Sequence, residues 1–286
     1  MDALDRLIDL ALDEDLGAAG DVTTMALVPA SARARGELLA KERLVFAGAE
    51  AFSRVFVRIE PSAVVELLCA DGAHVEAGAT LARVSASTRA LLVGERTALN
   101  LVQRMCGIAT LSAQAAEAVK GTRCRVLDTR KTSPGMRALS KHAVRAGGAS
   151  NHRFGLSDGV LIKDNHLAAM GGDIRQALRR ARAEVPRLLK VEIEVTAVEQ
   201  LEDAIAGGAD VVLLDNMDDA AVAEALRRIA GRVEVEVSGG ITLERLPRLA
   251  ALGVDFVSMG ALTHSARAMD LSLEVFPEAE NTLPDE

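Results

Sequence analysis

The chain has 286 residues, 49% of them hydrophobic, enough for one large α/β domain or two smaller ones with a buried core. A formal net charge of −8, with no Trp or Tyr and six Phe, weighs against non-specific nucleic-acid binding and base stacking. No run of about 18 apolar residues offers a membrane span, and the start MDALDRLIDL lacks a signal-peptide pattern. Cys69, Cys106 and Cys124 form no metal or disulfide spacing, so a cytoplasmic protein with free thiols is expected.

In chain order, a helix is predicted over 2–15, followed by GDVTT (20–24) and short strands in GELLAKERLVFAG (36–48) and VVELLCA (64–70). The segment DGAHVEAGATLARV (71–84) resembles the hammerhead turn of biotinyl and lipoyl modules. No lysine stands at its tip, so a β-rich domain with a glycine turn is expected. Thr88 to Val119 has a helical pattern and should join two domains. From about Arg123 onward, strands alternate with amphipathic helices: 124–128, 159–163, 189–195, 210–215, 232–237 and 255–260.

Six such units fit a doubly wound sheet or a barrel. VEIEV (191–195) and VEVEV (233–237) favour the barrel, because central strands of a doubly wound sheet are apolar on both faces. Valines against the helices and glutamates towards a lumen give an irregular, incomplete TIM-like α/β barrel. Glu194 is expected near the C-terminal rim, Glu192 and Glu234 deeper with buried partners, and the role of Glu236 stays open.

Active sites of such barrels gather at the C-terminal strand ends. There stand Thr129, Arg130 and Lys131; Lys163 with Asp164, Asn165 and His166; Glu194; Asp215; Ser238, Gly239 and Gly240; and Ser258, Met259 and Gly260, followed by His264. His152 and Arg153 lie in the loop before the Lys163 strand. Arg130, Lys131, Arg153 and Lys163 would bring cations to one rim of an acidic protein, which suits a small polyanion. Glu194 and Asp215 are hard oxygen donors for Mg²⁺ or ribose hydroxyls, and the glycines permit close approach of a phosphate. Each feature alone has a plainer reading as surface charge, a turn, a snorkelling lysine or a Schiff-base lysine. Their joint placement carries the argument.

The segments GDVTT (20–24), ERTALNLVQRMCGIAT (95–110), DTRKTSPGMRAL (128–139), KHAVRAGGASNHRFGLSDGVLIKDNH (141–166), LLDNM (213–217), VSGGI (237–241) and DFVSMGALTHSARAMDLSL (255–273) resemble the quinolinate phosphoribosyltransferase family. The resemblance implies an N-terminal α/β sandwich with a linking helix (1–120), a barrel (121–275) and a C-terminal tail (276–286). It implies transfer of a phosphoribosyl group from 5-phosphoribosyl 1-pyrophosphate to quinolinate with loss of CO₂, giving nicotinate mononucleotide in NAD biosynthesis. Mg²⁺ is the implied cofactor, held directly or indirectly by Glu194 and Asp215.

By the same resemblance, Arg130, His152, Arg153 and Lys163 meet the quinolinate carboxylates, together with Arg96 from a neighbouring subunit of a homodimer. Lys131, Glu194 and Asp215 hold the phosphoribosyl pyrophosphate, with Lys163 completing the catalytic set. Thr129, Ser238, Gly239, Gly240, Ser258, Met259, Gly260 and His264 complete the substrate site. Departures from the family pattern are His142, the sequence Gly148, Ala149, Ser150, and Leu167. The alternatives are a paralogue associated with molybdenum transport and a non-catalytic metabolite-binding protein of the same fold. Neither membrane nor nucleic acid is an expected partner.

Overall fold

The computed structural model describes residues 2–278. In chain order it contains α1 (Ala3–Leu16), α2 (Val22–Leu27), β1 (Arg33–Ala40), β2 (Leu44–Val45), α3 (Ala49–Ile59), β3 (Val64–Leu67), β4 (His74–Val75), β5 (Thr80–Ser87) and α4 (Thr88–Ala118). It continues through β6 (Arg125–Leu127), α5 (Arg137–Ala146), β7 (Val160–Ile162), α6 (Asp164–Ala169), α7 (Ile174–Glu184), β8 (Val191–Val195) and α8 (Leu201–Ala206). The remaining elements are β9 (Val211–Asp215), α9 (Asp219–Ile229), β10 (Glu234–Ser238), α10 (Leu246–Leu252), β11 (Phe256–Ser258), α11 (Ala261–His264) and β12 (Leu271–Pro277). None of the described helices is long and apolar enough to cross a membrane.

The chain divides into two compact units. The first takes residues up to Ser112, Ser133–Gly148 and the segment from Ala266 onward; the second takes Ala113–Thr132 and Ala149–Ser265.

The first unit is built on an antiparallel sheet of order β12-β1-β5-β3. Along β1 the side chains alternate, with Arg33 and Arg35 exposed and Ala34, Leu38 and Ala40 buried, as one solvated and one packed face require. A Cβ on Gly36 would lie 3.0 Å from Val84 Cγ1 and 3.1 Å from Leu273 Cδ1, so the central strand needs its smallest residue there. Phe52 and Phe56 of α3 are fully buried and meet edge to face, ring centroids 5.1 Å apart. The 71–84 segment forms β4, β5 and glycine turns, with Gly72 and Gly78 at positive φ. Asp71 accepts the N–H groups of Gly48 and Ala49 and sits 2.5 Å from His142 Nε2, so His142 ties α5 to the start of α3.

The boundaries expected from the sequence follow chain order, whereas the units do not. Residues 271–277 form β12, which pairs with β1 from Ala34↔Pro277 to Ala40↔Leu271. A break after 275 would cut this strand, whose Leu271 and Leu273 are buried against the first unit's sheet. Residues 279–286 of the expected tail lie outside the described residues.

The second unit is a six-stranded parallel sheet of order β6-β11-β10-β9-β8-β7, the six expected strands. β6 and β7 are its edges; Ser150 adds an isolated parallel bridge to Leu127 beyond β6. Residues from all six strands line one cavity of about 230 Å³, so the sheet curls around a lumen as an incomplete barrel. Val191, Ile193 and Val195 of β8 are fully buried, and β10 buries Val235 and Val237 likewise. Helices between the strands cover the sheet with apolar stripes such as Ile174, Ala177 and Leu178 of α7.

Candidate active site

Register fixes which residues share the barrel's C-terminal rim. Ser238 pairs with Asp215, and Ser258 with Leu127; the β10–β11 pairing of Val237 with Val257 brings Ser238 and Ser258 to the same level. Glu194 pairs with Leu213, so Asp215, two residues on, shares its face one step nearer the rim. Lys163 follows β7 and forms an ion pair with Glu194, whose side chain is 9% exposed. The lysine remains 44% exposed, so its ammonium can also meet a ligand from the open side.

The loops above this layer are shaped by their own chemistry. Thr129 Oγ1 accepts the Lys131 N–H at 3.1 Å, and Thr263 Oγ1 donates to the Lys131 carbonyl at 2.9 Å. A Cβ on Gly260 would sit 3.1 Å from both Lys131 Cδ and His264 Nε2, so the glycine lets these side chains close in. Gly239 has φ +93°, and a Cβ there would collide with Asn216 Oδ1. Gly240, at φ +59°, has open space around the same position. Asn216 is itself left-handed, and its Nδ2 donates to Asp215 Oδ2 at 2.5 Å, orienting that carboxylate.

The loop before β7 is anchored by Asp128, which sequence reasoning did not single out. This fully buried carboxylate accepts Asn151 Nδ2 at 2.5 Å and the His152 N–H at 2.9 Å, tying the residue before Thr129 to the His152–Arg153 loop. Asp158 accepts the N–H groups of Phe154 and Gly155, and Arg153 Nη1 donates to the Gly159 carbonyl at 2.9 Å. Burial, then the neighbouring Arg130 guanidinium, lowers the pKa of Arg153. An anion bound between them would relieve the repulsion that Arg130 exerts on Arg153. The sequence signal for Asp128 was its position at the end of a barrel strand.

Below the rim, the first residues of four strands, Arg125, Val160, Val211 and Phe256, line the cavity with His152, Glu192 and Glu236. Glu192 meets the expectation of a buried partner: its Oε2 lies 3.0 Å from His152 Nε2. Glu234 does not. Its side chain is 42% exposed and ion-paired to Lys190, because it opens β10 at the end remote from the rim. Glu236 is 2% exposed. Burial, then the Glu192 charge, pushes its carboxyl up to about 8.

Burial disfavours the His152 imidazolium, but the two glutamates outweigh it and raise its pKa. The Arg153 N–H opposes that charge, since it donates to Nδ1 at 2.7 Å and requires a lone pair there.

Thus Thr129, Arg130, Lys131, His152, Arg153, Lys163, Glu194, Asp215, Ser238, Gly239, Gly240, Ser258, Met259, Gly260 and His264 all belong to the barrel unit. Arg96 does not: it is an exposed residue of α4 in the first unit.

A parallel barrel with clustered cations, two rim carboxylates and phosphate-sized glycine loops defines an enzyme class acting on small polyanions. Comparison with known proteins narrows this. The quinolinate phosphoribosyl transferase N-terminal domain matches residues 21–106 and the C-terminal domain residues 108–274. The nicotinate-nucleotide pyrophosphorylase [carboxylating] of Mycobacterium leprae is 44% identical over 289 residues, covering 96% of this chain and 98% of that protein. The Bacillus subtilis probable nicotinate-nucleotide pyrophosphorylase [carboxylating] is 40% identical over 272 residues, covering 95% and 93%. The crystal structure of NadC from Streptococcus pyogenes superposes with TM-score 0.91 at 39% identity, covering 96% of this chain and 97% of that one. The chain belongs to the quinolinate phosphoribosyl transferase family.

Proposed function

We propose that the protein transfers the phosphoribosyl group of 5-phosphoribosyl 1-pyrophosphate to the ring nitrogen of quinolinate and releases pyrophosphate and CO₂, yielding nicotinate mononucleotide. The observation that carries this reading is the Lys163–Glu194 pair, on strand ends neighbouring Asp215, in a barrel whose family match extends from residue 108 to 274. The matched relatives bear enzyme names of this activity, which disfavours a non-catalytic binder.

Arg130, Arg153, His152 and Lys163 supply the positive field for two ring carboxylates, with Arg96 completing the pocket from the partner of a homodimer; further assembly to a hexamer is left open. Lys131 and His264 flank Gly260 and suit the departing pyrophosphate, while Gly239 and Gly240 present backbone to a phosphate. The reaction develops positive charge on the ribose, which Glu194 and Asp215 favour; such preorganised electrostatics is typically the largest catalytic contribution. The same two carboxylates fit Mg²⁺, a hard cation that usually keeps several waters and would neutralise pyrophosphate charge when bound. Three free thiols accord with a reducing, cytoplasmic location.

The test is a steady-state assay of the purified protein with quinolinate, phosphoribosyl pyrophosphate and Mg²⁺. Equal release of CO₂ and pyrophosphate with formation of nicotinate mononucleotide is expected. No turnover, with binding of both substrates demonstrated, returns the protein to the class of metabolite binders.

A further inference from the structure

Asp128 stands where β6 ends and the loop of Arg130 and Lys131 begins, and it is fully buried. Beside β6, Ser150 pairs as a parallel ladder requires: its N–H donates to the Val126 carbonyl at 2.8 Å, and its carbonyl accepts the Asp128 N–H at 3.1 Å. The next rung of such a ladder would send the His152 N–H to the Asp128 carbonyl. It goes instead to the Asp128 side chain, to Oδ1 at 2.9 Å, while Oδ2 takes the Asn151 amide at 2.5 Å. The carboxylate therefore ends the pairing and turns the chain off the edge of β6.

That turn sets where His152 stands in the lumen. Its Nε2 lies 3.0 Å from Glu192 of β8 and 3.6 Å from Glu236 of β10, and its Nδ1 accepts the Arg153 N–H. Arg153 is near enough to Arg130 for the two charges to repel. Two cationic arms thus start from one carboxylate: Arg130 and Lys131 follow it in the chain, and His152 and Arg153 hang from its oxygens. Lys131 has further anchors in Thr129 Oγ1 and Thr263 Oγ1, neither of which involves the Asp128 side chain. The first arm is held from several sides, so the second is the one that depends on Asp128.

We infer that Asp128 is a positioning residue for the dicarboxylate substrate: it fixes the His152–Arg153 arm against Arg130 and so sets the affinity for quinolinate. Both of its oxygens are taken by donors of the loop, so it acts on the ligand through that arm and not by contact. Holding two repelling cations in place before the ligand arrives lowers the ordering cost of binding. The inference rests on the quinolinate reading of the site.

The test measures KM for each substrate, kcat and Tm in the full-length enzyme, Asp128→Ala, Asp128→Asn and the double variant Asp128→Asn/Asn151→Asp. Asp128→Ala strands the His152 N–H and the Asn151 amide, and should raise KM for quinolinate by about tenfold to a hundredfold. KM for phosphoribosyl pyrophosphate and kcat at saturating quinolinate should each stay within about threefold of wild type. Asp128→Asn keeps an oxygen for the His152 N–H but sets one NH2 against another at Asn151, so its rise should be smaller. Adding Asn151→Asp restores a donor–acceptor pair in the reverse direction and should bring KM for quinolinate most of the way back. A residue that merely pins the fold would lower Tm and the folded fraction, and with it kcat, while leaving KM of the folded molecules unchanged; that pattern would overturn the inference. So would equal rises in both KM values, or a double variant no better than Asp128→Asn. Should Asp128→Ala fail to fold, the comparison of Asp128→Asn with the double variant decides alone. No turnover of quinolinate by the wild type would sink the quinolinate reading and this inference with it.

Discussion

Glu42 and Glu60 of the antiparallel unit and Glu236 of the barrel lumen are pushed in opposite directions. In the antiparallel unit, Glu42 is pulled down to about 2 by the Arg267 guanidinium and the Asp270 N–H. Burial acts against Glu60, yet it too falls to about 2, because Ser87, Arg33 and Ser62 all donate to it. In the barrel lumen Glu236 goes up to about 8. The difference is one of partners: Glu42 and Glu60 receive donors from several directions, whereas Glu236 is buried against the Glu192 charge and a cavity. Charge that stabilises the fold is satisfied at home, and charge that serves a ligand is left partly unsatisfied.

The strongest way to break this comparison is to remove a charge at the rim. Lys163→Ala leaves Glu194 buried without its cation and should lower kcat by about 10²–10³, together with a measurable loss of stability. Arg96→Ala should be comparably inactive if a partner's arginine completes the site. Mixing the two inactive variants with verified subunit exchange should then restore about a quarter of wild-type activity, since half the dimers are hybrid and each hybrid has one intact site. Recovery of nothing would confine the site to one chain.

The lumen was partly legible because VEIEV and VEVEV break the apolar rule for a doubly wound sheet, and that one conflict placed Glu192, Glu194 and Glu236 inside. What separated these glutamates was not legible. Glu234 reaches solvent and Glu236 does not, although they stand two residues apart, because Glu234 opens β10 beside Lys190 while Glu236 lies inside the strand. Asp128 was hidden for a similar reason: its partners Asn151 and His152 are more than twenty residues away in the chain, so only the closed loop reveals it. The return of β12 to the first sheet escaped for want of a local signal; an edge strand's partner is chosen by long-range packing, here Leu38 against Leu273.

A second prediction sharpens the opposition through stability. A carboxyl whose pKa is raised on folding favours the native state at low pH and loses that contribution as pH rises from the unfolded value of about 4.5 towards about 8. Glu236→Gln removes this liability. It should therefore stabilise the protein at pH 7 by on the order of 2–3 kcal/mol, at about 1.4 kcal/mol for each tenfold change in proton affinity, raising Tm by about 5 °C. Equal Tm values for variant and wild type from pH 5 to pH 8 would mean that the buried acid carries no folding cost, and the contrast between the units would lose its energetic basis.

The smallest effect concerns Glu60, where the sign reverses. Its side chain is 18% exposed and takes hydrogen bonds from Arg33 Nη1 at 2.8 Å, the Ser87 N–H at 3.0 Å and Ser62 Oγ at 3.0 Å. These donors link the end of α3 to β1 and β5 in one sheet, so the carboxylate is worth most when ionised. A pKa lowered on folding contributes stability above about 4.5 that disappears as pH falls towards about 2. Glu60→Gln should therefore cost about 1–2 kcal/mol at pH 6, less than a fully buried carboxylate would lose because water still reaches the group, and almost nothing near pH 2. Urea unfolding at pH 6, 4 and 3 measures the convergence. A gap between variant and wild type that stays constant across those pH values would assign the loss to altered packing, because only a titrating carboxylate makes the two curves meet.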